Sequence, residues 1–174
     1  MNRLLYIGRY LLRVLAILFL QVFVFGELAL FDEARPFIYL IPILYLPLRI
    51  TRWQGMLLAF AIGLVVDVFF YTYGLHASIA LAVFYLRDFV LYTVLGVSEE
   101  FEGAEPHIGV LGLNTFLLYT VLIILIHQIL LQFLDVLSFD NFLRTFFKVL
   151  VGTLFNVVLL FVFELLFFAR RLTS

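Results

Sequence analysis

Residues 115–137 read TFLLYTVLIILIHQILLQFLDVL, and no charged side chain interrupts them before Asp135. At 1.5 Å of rise per residue, a helix of about 20 such residues covers the roughly 30 Å of a bilayer's hydrocarbon core. The run therefore predicts a membrane-spanning helix, with Asn114 placed to cap its start. Downstream, residues 142–168 form a second such run, with Asp140 or Asn141 as its cap. Upstream, residues 53–71 and 76–95 are apolar runs divided by the turn Tyr71-Thr72-Tyr73-Gly74, and the aromatic residues at their ends suit a headgroup belt. Between residues 95 and 115 lies the longest polar stretch, with Glu99, Glu100, Glu102 and Glu105 beside Gly103 and Pro106, which reads as a loop.

The first fifty residues complete the pattern less regularly. Arg3, Arg9 and Arg13 precede the apolar run from Val14 to Phe25, as in a signal peptide, but no small-x-small cleavage site follows. Residues 10–31 are therefore predicted to be an uncleaved first span. Pro36 then opens a second apolar stretch, residues 36–50, which is short for a bilayer and interrupted by Pro42 and Pro47. As a helix it has to be thin, tilted or continued toward Trp53. The expected fold is all-α: a polytopic membrane protein forming a single transmembrane domain over residues 1–174, with six transmembrane helices, the second short and Pro-interrupted.

Composition agrees with this reading. Hydrophobic residues make up 66% of the chain, against roughly half in soluble domains, and the mean hydropathy is +1.18. A net charge of -1 with 13% charged residues excludes the basic stripe of a nucleic-acid binder. The chain has no cysteine, hence no disulfide, thiolate nucleophile or Cys-based zinc site. Six spans with both termini cytoplasmic put Arg3, Arg9, Arg13, Arg49, Arg52, Arg170 and Arg171 inside, against Arg35, Arg144 and Lys148 outside. If the Pro36 stretch did not cross, that bias would vanish.

Polar groups inside spans are costly, and they are the candidates for function. Asp67 follows Gly63 by one helical turn, with Ala59 a turn earlier and Gly74 seven residues on, so the four are expected to share a face where another backbone approaches. Asp67 reads either as a substrate- or proton-linked carboxylate or as an acceptor for a neighbouring helix terminus. The structural reading is favoured because no second carboxylate is at hand to complete a relay. Asp67→Asn is then expected to keep most of the folding. Arg87 and Glu164, opposite charges at similar depth, are expected to pair across helices. Gln128, Gln132 and Asp135 line one face of the fifth span, with His127 beside them, and Lys148, Gly152 and Asn156 line a face of the sixth. The two stripes are expected to meet. There is no His-Glu-x-x-His, no Gly-x-Ser-x-Gly, no phosphate loop and no ligand cluster at metal spacing. The expectation is a non-enzymatic protein with no catalytic residue, no cofactor and no metal.

The pattern Gln54-Gly55 … Gly63 … Asp67 … Gly74-Leu75-His76-Ala77 resembles the bacterial rod shape-determining MreD family, which shows a similar Gly–Gly–Asp–Gly-Leu spacing in its third hydrophobic segment. The likeness extends to chain length, a short basic N-terminus, six hydrophobic segments with a Pro-interrupted second one, and a C-terminal Arg. The acidic loop from Glu99 to Glu105 has no counterpart in that pattern. The resemblance implies a non-enzymatic inner-membrane scaffold of the cell-elongation, peptidoglycan-synthesising machinery. It would bind MreC and work with MreB, RodA and a class B penicillin-binding protein, using Gly63, Asp67 and Gly74. The family is also similar to the substrate-binding S-components of energy-coupling-factor vitamin transporters. An S-component-like bundle is therefore the expected architecture, and vitamin transport the alternative function.

Overall fold

A computed structural model describes residues 3–26, 28, 35–48, 50–97, 101, 103–136 and 142–167. The described residues are helical or irregular, with no strand among them. In chain order the helices are α1 (Arg3–Phe23), α2 (Leu40–Leu44), α3 (Arg52–Phe70), α4 (Leu75–Asp88) continued by a π-helical turn (Phe89–Val94), α5 (Ile108–Leu111), α6 (Leu113–Val136) and α7 (Phe142–Phe167). Among the described residues four helices are long and apolar enough to cross a membrane: Arg52–Phe70, Leu75–Val94, Leu113–Leu134 and Phe142–Leu166. The chain is thus an all-α membrane protein.

The long helices pack in a row, α1 on α3, α3 on α4, α4 on α6 and α6 on α7. Their outward faces expose apolar side chains such as Leu15 and Phe19 of α1, Leu57 and Val68 of α3, and Leu154 and Leu166 of α7. In water such a surface would be unstable; in lipid it is the ordinary solvent-facing side. The bundle has two ends. At one, Arg13 meets Glu105 at 3.6 Å and Leu48 exchanges backbone hydrogen bonds with the Gly103–Ala104 turn. At the other, the turn between α3 and α4 lies beside the end of α1, where Gly26 approaches the Phe70 ring.

The segment expected as a thin or tilted second span is neither. Residues 36–46 are all buried, and only Leu40–Leu44 is helical. The stretch enters beside Gln21 and Asn156, leaves beside Ala104, and so runs through the interior from one end of the bundle to the other. This corrects the expectation of a short helix over 36–50, and the reason is physical. Pro42 and Pro47 supply no N–H, so the backbone forms turns on either side of α2, with the N–H groups of Leu40, Ile41 and Leu46 each bonding three residues back. Non-helical backbone is tolerated at membrane depth only inside protein. Pro36 accordingly opens no helix, and Pro42 falls inside α2.

Other boundaries shift less. α1 lies earlier than the expected 10–31, ending where the Val24 and Phe25 N–H groups both turn back to the Leu20 carbonyl. Asn114 lies within α6, since the Phe116 N–H bonds the Gly112 carbonyl and the helix begins at Leu113. Asp140, Asn141, Glu99, Glu100 and Glu102 fall outside the described residues.

Candidate functional site

Asp67 stands three residues before Phe70, the last residue of α3, and faces the start of α4. Its Oδ1 accepts the His76 backbone N–H at 2.9 Å, its Oδ2 accepts the Ala77 N–H at 2.8 Å, and the Thr72 hydroxyl donates to Oδ1. The His76 ring nitrogen Nδ1 lies 3.1 Å from the same oxygen and 3.0 Å from Thr72 Oγ1. A helix start leaves orphan N–H groups and a partial positive charge, and a carboxylate answers both. Asp67 is thus a cap supplied by the preceding helix.

The close approach this needs is made by the small residues. A Cβ on Gly63 would lie 2.5 Å from both the Ala77 Cα and the His76 carbonyl oxygen, and one on Gly55 would enter the Phe84 ring. Ala59, fully buried, lies between them on the same face. The expected Ala59, Gly63, Asp67 face therefore exists and is covered by α4 of the same chain. Gly74 does not belong to it. α3 has already ended, a Cβ on Gly74 would meet nothing, and the residue is needed for its φ of 92°.

Arg87 and Glu164 are both buried, and they do not pair. Arg87 Nε donates to the Tyr119 hydroxyl at 3.0 Å, its Nη2 donates to the Leu46 carbonyl, and Nη1 lies 3.6 Å from Asp88 Oδ1. Glu164 accepts the Tyr45 hydroxyl and, at 2.9 Å, the Ile108 N–H. Both ions serve the irregular backbone and the loop next to it, whose unpaired amides offered nearer partners than the opposite charge did.

The same logic accounts for other buried polar residues. Gln21 donates to the Pro36 carbonyl at 3.0 Å and accepts the Tyr39 N–H at 3.2 Å. Asn156 accepts the Phe37 N–H at 2.7 Å and donates to the Arg35 carbonyl at 3.0 Å and the Gly152 carbonyl at 2.9 Å. Tyr10 and Tyr119 donate to the carbonyls of Pro42 and Leu44, each at 2.9 Å. Side chains from α1, α4, α6 and α7 thus replace the hydrogen bonds that a helix would have made for itself. Tyr10, Gln21, Tyr45 and Tyr119 were not singled out by sequence. Gln21 carried a signal, being the one polar side chain in the run from Val14 to Phe25.

Of the α6 stripe, Gln128 is buried against Gly152 of α7, where an added Cβ would come within 2.9 Å of the Gln128 amide. The stripes of α6 and α7 meet there. His127 Nε2 lies 2.7 Å from the Tyr39 hydroxyl. Gln132 is half-buried, while the side chain of Asp135 is outside the described set. Gln128, Gln132 and Lys148 line a cavity of about 280 Å³ at the His76 end. A second, mostly apolar cleft of about 220 Å³ runs between α1 and Phe163 of α7, floored by Ile41 and Pro42. Among the described residues no group of three His, Asp or Glu side chains is set to hold a metal ion.

No protein-family model, no curated protein and no solved structure matches the chain.

Proposed function

We propose that the chain is a non-enzymatic scaffold of the bacterial inner membrane, MreD-like, that assembles with MreC in the cell-elongation machinery. One observation carries the reading: the buried charges Asp67, Arg87 and Glu164 are all engaged in holding this chain's own backbone. A carboxylate that caps a helix through both oxygens has no remaining role as a proton or cargo site, whereas a rigid bundle with apolar outer faces suits lateral assembly. In this reading the chain crosses six times, counting the buried segment. Both termini are then cytoplasmic, as is the loop carrying Glu105. The Ala59, Gly63, Asp67 face is filled by α4, so the surface for MreC lies on the outward faces. MreB, RodA and the class B penicillin-binding protein are engaged through the same assembly. Co-purification of the tagged protein in mild detergent, read by mass spectrometry, tests it: MreC is expected among the retained proteins.

The cavity at the His76 end favours a second reading, the substrate-binding S-component of a vitamin transporter. Retention of an ATPase-driven module or a bound vitamin, with no MreC, would replace the scaffold reading by this one.

A further inference from the structure

The cavity at the His76 end has a wall that the fold does not explain. Gln128 is 1% exposed, and neither its amide nitrogen nor its amide oxygen has a hydrogen-bond partner. Elsewhere the bundle satisfies its buried amides: Gln21 and Asn156 use both ends of theirs. Leaving such a group unmet is destabilising, and each instance calls for an occupant or a reason. Gln128 lines the cavity, so the occupant has a place to be.

The rest of the lining defines its chemistry. Arg35 and Lys148 supply two cations, Thr72 and His76 line the cavity with side chains already bonded to Asp67, and Gln132 repeats the amide one turn beyond Gln128. No Asp or Glu lines the cavity among the described residues. Asp67, behind Thr72 and His76, spends both its oxygens on the N–H groups that begin α4. The cations and amide donors of the described lining select an anionic oxygen group. Phe37, Phe70 and Leu131 form apolar wall, which selects an apolar body attached to it.

We propose that this cavity binds a small amphiphile carrying an anionic oxygen group, phosphate or carboxylate, with Gln128 as the hydrogen-bonding wall and Arg35 and Lys148 as the cations. The proposal rests on neither reading of the overall function. The same chemistry is presented by an anionic lipid headgroup and by a free aryl phosphate or carboxylate, and the experiment separates them. Purified protein in detergent is titrated with dioleoyl phosphatidylglycerol against dioleoyl phosphatidylcholine, and with phenyl phosphate and benzoate against benzyl alcohol. Binding is read from the shift in thermal unfolding midpoint and from native mass spectrometry.

An anionic probe is expected to raise the midpoint where its neutral or zwitterionic counterpart does not. A response to phosphatidylglycerol alone assigns a headgroup; a response to phenyl phosphate or benzoate assigns a soluble ligand. Gln128→Leu is expected to fold as well as the wild type, because it removes an amide that has no partner, and to bind about tenfold more weakly. The paired change Arg35→Gln with Lys148→Gln is expected to abolish the preference for anions. Should no anionic probe shift the midpoint, or should Gln128→Leu bind as tightly as the wild type, the proposal is overturned. The second outcome decides even if the doubly neutralised variant fails to fold.

Discussion

Gly63 and Gly74 occupy one sequence pattern for opposite reasons, and a single methyl group separates them. At Gly63 the methyl would press on the Ala77 Cα and the His76 carbonyl, both backbone atoms of a packed helix that cannot turn aside. At Gly74 it meets open space and only the left-handed backbone objects. Gly63→Ala is therefore expected to cost about 1–3 kcal/mol or more through overpacking, and Gly63→Leu to prevent folding. Gly74→Ala is expected to lose about 1–2 kcal/mol from strain. Thermal unfolding in detergent checks the order. Asp67→Asn belongs to the same scale. Because both carboxylate oxygens accept backbone N–H groups, an amide turns one acceptor into a donor facing a donor. A loss of about 1–3 kcal/mol is expected, where sequence alone suggested tolerance. The Ala59, Gly63, Asp67 face was legible, because residues four apart share a helix face. What the carboxylate bonds was not: backbone N–H groups leave no mark in a sequence.

The buried segment over residues 35–48 governs the behaviour of every polar residue around it. Its carbonyls and N–H groups are met by Tyr10, Gln21, Arg87, Tyr119 and Asn156, each from a surrounding helix. Gln21→Leu or Asn156→Leu leaves buried backbone groups unmet and is expected to cost roughly 1–3 kcal/mol per group. Leu15→Ala on the lipid-facing side of α1 is expected to change stability little, and unfolding curves of the three variants give the comparison. Arg87 and Glu164 bond different partners, so Arg87→Ala with Glu164→Ala is expected to show no rescue over the single variants. Recovery in the double variant would mean that the two ions are paired after all. Sequence separated the four long spans cleanly by their apolar runs, yet misread this element. A short apolar stretch with Pro42 and Pro47 looks the same whether it is a distorted helix in lipid or an irregular core inside protein. The polar residues in neighbouring runs held the missing information, since each answers an amide that a regular helix would not have exposed.

For the whole molecule, the path of that segment sets the parity of the chain. It joins the end of the bundle where Gln21 and Asn156 lie to the end where Arg13 meets Glu105, so α1 and α3 both begin at the Glu105 end. The cations sort accordingly: Arg13 at that end, Arg35 and Lys148 at the cavity end. The positive-inside rule counts Lys and Arg near span ends, and six crossings would put Arg3, Arg9, Arg13, Arg49, Arg52, Arg170 and Arg171 on one side against Arg35, Arg144 and Lys148 on the other. The Glu105 end is thereby predicted to be cytoplasmic. Tyr73, fully exposed in the turn between α3 and α4, provides the opposite test point, since its own side chain packs against nothing. A periplasm-active reporter inserted at Tyr73 is expected to work, and the same reporter fused after Ser174 to stay silent, with a cytoplasm-active reporter giving the reverse. Periplasmic activity after Ser174 would mean an odd number of crossings. The buried segment would then have to turn back within the bundle instead of passing through it, and the hydrogen bonds that tie Leu48 to Gly103 and Ala104 would have to be broken.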